Sequence, residues 1–223
     1  MKISVLTLFP EYFDAFTRSP LIKRAQLKGA VEIDIVDIKD FAEGSFRKID
    51  DSPYGGGPGC ILRCEPVVKA LERVKESSQT PCHSILFSPG GKTYKQTDAR
   101  RLFNNEHLIL LCGHYEGFDE RILKYTDEQI SLGDYILSGG EIPAMAVMDS
   151  VIRLFPESLK TEATRDESFE TGILEYPQYT RPRVFRGDAV PEVLLSGDHE
   201  KIDEWRREEA LKKTQRLRPD LLK

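Results

Sequence analysis

The sequence predicts an α/β chain in which a mostly parallel sheet is flanked by helices. Two observations carry that prediction. Short apolar runs rich in β-branched residues alternate with helical segments through the first 155 residues, the pattern of strands joined by crossover helices. One run, His107-Leu108-Ile109-Leu110-Leu111, is apolar almost throughout, as a strand covered on both faces must be.

The elements follow in order. Residues 3–9 form a buried strand, and Pro10-Glu11-Tyr12-Phe13 opens a helical turn. Ser19-Pro20 places a capping hydroxyl before a proline at the first helical position, and Gly29 stops the helix that begins there. Residues 31–38 alternate apolar and acidic side chains through Val31, Ile33 and Ile35, which reads as a second strand. Residues 66–75 are helical in pattern. Residues 84–87, 107–111 and 129–132 read as strands, with helical segments at 98–103 and 118–124 between them. Residues 141–155 are apolar on nearly every face, from Ile142, Ala144, Met145 and Ala146 to Leu154 and Phe155. Such a helix must be buried nearly all round, and a second copy of the chain is the expected cover. Pro156 ends it. The expected organisation is one α/β domain over 1–156, a polar linker over 157–168 and a small helical domain over 169–223.

With 37 acidic and 32 basic side chains, the net charge of −5 gives no overall attraction to a polyanion. A nucleic-acid partner would need a local basic patch. Residues 205–218 offer one: Arg206, Arg207, Lys212, Lys213, Arg216 and Arg218 outnumber Glu208 and Glu209, a local charge of +4 beside Trp205. It is either an RNA-binding surface or an ordinary solvated helix face. The N-terminus lacks a signal-peptide pattern, and no apolar run is long enough to span a membrane. Cys60, Cys64, Cys82 and Cys112 read as free thiols of a reducing cytoplasm. No metal set is expected, and the sequence is silent on magnesium.

Three glycine-bearing loops each follow an expected strand: Ser88-Pro89-Gly90-Gly91, Cys112-Gly113-His114-Tyr115-Glu116-Gly117, and Leu132-Gly133-Asp134-Tyr135-Ile136-Leu137-Ser138-Gly139-Gly140. Ligands of open α/β sheets bind outside the carboxyl ends of the strands, and glycine lets backbone approach them closely. The loops therefore point to a small-molecule pocket, in which bulk at Gly113 or Gly140 is expected to exclude the ligand rather than unfold the chain. A triphosphate loop ending in Gly91-Lys92-Thr93 would need glycine where Leu86 stands, and the dinucleotide fingerprint is missing after Phe9. The loop over 50–59, with Gly55-Gly56-Gly57-Pro58-Gly59, reads from composition as a surface turn.

Several motifs together resemble one family. They are Leu6-Thr7-Leu8-Phe9-Pro10, Tyr54-Gly55-Gly56-Gly57-Pro58-Gly59, the run from Cys112 to Arg121, the run from Gly133 to Glu141, Tyr179-Thr180-Arg181-Pro182, and the run from Val190 to His199. In this order, over almost the whole chain, they resemble the bacterial tRNA (guanine-N1)-methyltransferases of the SPOUT class, which modify guanosine at tRNA position 37. The resemblance implies an α/β domain with a C-terminal trefoil knot, a small helical tRNA-binding domain, a homodimer, and S-adenosylmethionine as methyl donor. It places the donor on Ser88, Pro89 and Gly90, on Gly113, Tyr115, Glu116 and Gly117, and on Leu132, Gly133, Asp134, Tyr135, Ile136, Leu137, Gly139 and Gly140.

N1 of guanine is a poor nucleophile until its proton leaves, so the chemistry asks for a carboxylate base and a cation facing the guanine oxygen. By resemblance Arg153 is the cation and Glu116 contacts the target base or the donor. The family usually carries Asp immediately before the Ser-Phe pair. Here Glu167 stands there with Asp166 one residue back, so Glu167 is the expected base and Asp166 the alternative. Two other readings remain at this point: an RNA-binding protein without catalysis, and a methyltransferase of ribosomal RNA or a ribose hydroxyl.

Overall fold

A computed structural model describes residues 1–44, 48–158 and 167–223. The chain divides into two compact units, Met1–Lys160 and Thr161–Lys223.

In the first unit β1 (Lys2–Thr7) leads through a 3-10 turn at Pro10–Tyr12 into α1 (Phe13–Thr17) and α2 (Pro20–Leu27). Ser19 and Pro20 start α2 as expected, although the Ser19 hydroxyl makes no capping bond. Gly29, at φ +70°, turns the chain into β2 (Glu32–Asp37). A short antiparallel pair, β3 (Asp50–Asp51) and β4 (Ile61–Leu62), precedes α3 (Cys64–Ser77). Then come β5 (Cys82–Thr93), α4 (Gln96–Phe103), β6 (His107–Leu111), β7 (Glu128–Ser131) and α5 (Glu141–Ile152). The helical segment expected over 118–124 is a 3-10 turn at Glu120–Tyr125.

The sheet runs β2-β1-β6-β5-β7, and every neighbouring pair is parallel. Alternation along the central strands feeds two cores. Ile3, Val5, Ile85, Leu108 and Leu110 face one layer with α2, α4 and α5, while Leu6, Leu86, Ile109 and Leu111 face another with α3. Each fully buried Leu or Ile contributes roughly 1.5–3 kcal/mol, which is why the central strands read as unbroken apolar runs.

His107 is the polar exception in β6. It is fully buried, and both ring nitrogens are engaged, Nε2 with Ser4 Oγ and Nδ1 with Ser78 Oγ, each at 2.9 Å. A buried imidazole so paired is tolerated neutral, and burial pushes its pKa below the usual value.

Helix α5 is less uniformly covered than its composition implies. Pro143, Ala144, Val147, Met148, Val151 and Ile152 pack on the unit's own core. Ile142, Ala146 and Asp149 are exposed, with Met145 and Arg153 half-buried beside them. The surface left for a second copy is thus a stripe rather than most of the helix.

The second unit holds the antiparallel pair β8 (Val184–Phe185) and β9 (Asp188–Ala189) and a long helix, α6 (His199–Leu217). Ile202, Ala210 and Thr214 form its buried face. Thr214 Oγ1 accepts from the Leu174 N–H at 2.9 Å, the Arg206 guanidinium covers the Tyr176 ring at 4.9 Å, and Tyr179 lies 6.4 Å from Trp205. Among the described residues no helix is long and apolar enough to cross a membrane.

Because the folded protein holds His107 neutral and its pKa is depressed, its contribution to stability is full above about pH 6.5, the ordinary histidine value, and is lost as pH falls below it. Melting temperature should drop on acidification from pH 7 before the carboxylates titrate, and His107→Gln should flatten that drop. Equal pH slopes in the two proteins would contradict this assignment.

Candidate functional site

Three connections at the carboxyl ends of β5, β6 and β7 enclose a cavity of about 680 Å³, a size suited to a small organic ligand. The first lies inside β5. Phe87 and Lys92 both pair with Ile130, so residues 88–91 stand out of the ladder as a bulge. Ser88 Oγ donates to Gln129 Oε1 at 3.1 Å. A Cβ on Gly91 would fall 2.5 Å from the Ile130 carbonyl carbon, so only glycine lets the strand return. The returning limb is anchored outside the cavity. Lys92 Nζ donates to the buried Asp98 carboxylate at 2.8 Å, and Tyr94 bonds Ser150 through its phenol at 2.7 Å.

The second connection leaves β6 at Cys112, whose N–H donates to the Leu6 carbonyl at 2.9 Å. The His114 ring packs between Phe9 and Tyr115, at 4.7 and 5.2 Å between centroids, and its Nδ1 is buried without a hydrogen-bond partner among the described residues. Tyr115 takes the left-handed conformation at φ +60°. Backbone strain of this kind in a non-glycine residue clusters at ligand sites. The Glu116 N–H donates to the Cys60 carbonyl at 3.0 Å, the Leu62 N–H to the Gly117 carbonyl at 2.8 Å, and the Glu116 side chain lies where a Cβ on Gly59 would be. The glycine-rich loop over 50–59, read from composition as a surface turn, is therefore tied at its end to the cavity wall. Nearby, Arg121 forks onto Asp119 at 2.9 and 2.7 Å and holds that carboxyl far below the usual range, so the two stay ionised as a closed pair at the rim.

The third connection, 132–140, folds back over the second. Gly139 forms a bridge with His114, and the Gly140 N–H donates to the Gly113 carbonyl at 2.8 Å. A Cβ on Gly140 would lie 2.6 Å from Cys112 Cα, and one on Gly113 would lie 2.6 Å from the Phe118 ring. The expectation that these glycines leave room for a ligand needs amending. They permit the protein's own segments to touch, and the cavity is the consequence.

The cavity brings together Ser88, Pro89, Gly90, Gly113, Tyr115, Glu116, Gly117, Leu132, Gly133, Tyr135, Ile136, Leu137, Gly139 and Gly140. Asp134 is not part of its lining. Neither is Arg153, the C-cap of α5, nor Glu167, half-buried at the start of the described part of the second unit. Asp166, with most of the expected linker, lies outside the described residues. Sequence reasoning passed over His114, Phe118, Gln129 and Pro143, which also line the cavity. Only His114, inside a glycine motif, carried a signal that could have found it.

Comparison with known proteins adds the following. The whole chain, residues 1–223, matches the family model described as tRNA (Guanine-1)-methyltransferase TrmD. A protein of Halalkalibacterium halodurans named tRNA (guanine-N(1)-)-methyltransferase is 53% identical over all of this chain and 91% of its own length. Proteins of the same name from Moorella thermoacetica and Geobacillus kaustophilus are each 51% identical over the whole chain, covering 90% and 91% of those relatives.

The glycine contacts separate two kinds of position. Gly140→Ala should lower the melting temperature by several degrees, because its clash is with backbone that cannot step aside. Gly90→Ala, whose added carbon would meet only the Ser88 hydroxyl at 3.8 Å, should melt like the parent. Thermal unfolding followed by circular dichroism checks both, and an unchanged melting temperature for Gly140→Ala would contradict the crossing described above.

Proposed function

This chain belongs to the tRNA (guanine-1)-methyltransferase family, and we propose that it transfers a methyl group from S-adenosylmethionine to N1 of guanosine 37 in tRNA, beside the anticodon. The observation that carries the reading is the cavity at the strand ends, walled by three glycine-bearing loops. Its size, its bare backbone groups and the unpartnered His114 Nδ1 suit a flat heteroaromatic ligand with polar edges. S-adenosylmethionine, when bound, supplies a methyl group already activated on a sulfonium.

The chain's own residues then have three tasks: removing the N1 proton, meeting negative charge on the guanine oxygen, and aligning the partners. Glu167 is assigned as the base, with Asp166 as the alternative. Arg153 is assigned to the guanine oxygen, since a guanidinium stays charged and can fork two hydrogen bonds. Glu116 is assigned to the target base or to the methionine end of the donor, and Asp134 to the donor loop despite its place outside the lining.

Two features support a homodimer with composite sites. Helix α5 starts at the cavity with Gly140 as its N-cap and ends at Arg153, roughly 18 Å away at the rise of an α-helix. One chain's arginine is thus far from its own cavity. The exposed stripe of Ile142 and Ala146 on the same helix is an apolar surface a second copy would cover. The bridge between His114 and Gly139 is compatible with the family's trefoil knot. The helical region over 169–223 is assigned to tRNA. Within it Arg207, Lys213 and Arg216 form no ion pair among the described residues, whereas Arg206, Lys212 and Arg218 pair with nearby carboxylates. The work belongs in the cytoplasm, where tRNA is.

Incubation with labelled S-adenosylmethionine and unmodified tRNA, followed by digestion, should yield N1-methylguanosine, and primer extension should stop at position 37. Glu167→Gln should lower kcat by roughly 100- to 10,000-fold with donor affinity little changed. Methylation of a ribose or of another base would overturn the functional reading. A crippled Asp166→Asn beside a near-normal Glu167→Gln would move the base one residue.

A further inference from the structure

One buried charge has no part in the chemistry above. Glu141, the first residue of α5, is 2% exposed, and it lies behind the cavity wall rather than in it. Three segments meet on its carboxylate. Thr7 Oγ1, at the end of β1, donates to Oε1 at 2.8 Å and itself accepts from the Phe9 N–H at 2.9 Å. The second oxygen, Oε2, lies against Gly139, at a point where an added Cβ would overlap it and would also come within 2.7 Å of His114 Nδ1. Cys112, wholly buried, is close enough for the carboxylate to add to the effect of burial in pushing its thiol pKa up. Removing a carboxylate from water costs several kcal/mol unless it is compensated, and the N-terminal end of a helix returns only part of that. An apolar residue would hold this corner of the core more cheaply, so the charge answers to something other than packing.

We infer that Glu141 is a positioning residue for the methyl-donor pocket: its carboxylate ties the end of β1 to the place where 112–114 and 139–140 cross, and so sets the spacing of two of the three walls. The inference rests on the reading of the cavity as the donor site. Glu141 touches neither donor nor guanine in this scheme. It acts through Gly139, Gly140 and His114, which do line the cavity.

The test is calorimetry of the full-length chain with S-adenosylmethionine, paired with steady-state kinetics in which donor and tRNA are varied separately. Glu141→Gln keeps the shape of the side chain and removes its charge. Its donor Kd and donor KM should rise roughly 10- to 100-fold, with tRNA KM and kcat at saturating donor within about threefold of the parent. A role confined to stability would leave donor affinity of the folded fraction unchanged. Thr7→Val removes the hydrogen bond while keeping the carboxylate, and should weaken donor binding in the same direction. Thr7→Ser, which keeps the hydroxyl, should bind the donor like the parent. Parent-like donor affinity in either Glu141→Gln or Thr7→Val overturns the inference. No binding by the parent chain overturns the donor reading itself, and this inference with it.

Discussion

The cavity depends on a contact between backbones. Gly140 lies so close to Cys112 and Gly113 that no other residue fits there, and its N–H donates to the Gly113 carbonyl at 2.8 Å. That contact presses the connection after β7 onto the connection after β6. The bulge in β5 supplies the third wall, and it too depends on a glycine, Gly91 against Ile130. Close-packed backbone has little compliance, so the three walls hold their spacing. What remains inside is a space bounded both by glycine backbone and by side chains such as Tyr115, Phe118, Tyr135 and Leu137, able to present donors and acceptors at fixed positions.

Charge is disposed around this frame in two ways. At the rim, Asp119 and Arg121 neutralise each other in a forked pair, and the Lys92–Asp98 contact fixes the returning limb of β5. Exposed pairs of this kind add little stability. Asp98 differs in being buried with several partners, among them the Lys95 N–H, and its worth lies in fixing strand geometry. Away from the cavity, Arg153 is carried to the far end of α5, and the basic residues of α6 belong to a separate unit. Under the proposed function this division makes sense: donor recognition is the task of rigid backbone, and the charged groups that meet RNA lie on elements that a second copy or the substrate can complete.

Much of the sheet was legible in the sequence because burial on both faces leaves a simple trace. The strand at 107–111 was read with its observed bounds, α2 was read from Ser19-Pro20 and Gly29, and α5 from its nearly all-round apolar content, although the helix ends at Ile152 rather than just before Pro156. The weaker trace was at β5. Sequence places the end of that strand at Phe87, whereas the chain leaves the ladder and rejoins it at Lys92, and a bulge has no periodicity to betray it. The glycine loops showed where a pocket would be, but not what the glycines do. Chain-to-chain contact and ligand clearance ask for the same residue type, and only coordinates separate them. Gln129 and Phe118 were missed because each reads as a filler of its own element. The loop over 50–59 misled for a related reason: its attachment to Glu116 and Gly117 runs through backbone atoms of Cys60 and Leu62, which no side-chain pattern records.

The central claim is that residues 88–91, 112–117 and 132–140 act as one ligand-binding unit held by their own contacts. Amide hydrogen exchange with and without saturating S-adenosylmethionine tests it most directly. The expected result is slowed exchange in all three segments together, with the same midpoint as ligand is titrated, and little change in α3. Protection confined to one segment, or centred elsewhere in the chain, would contradict it.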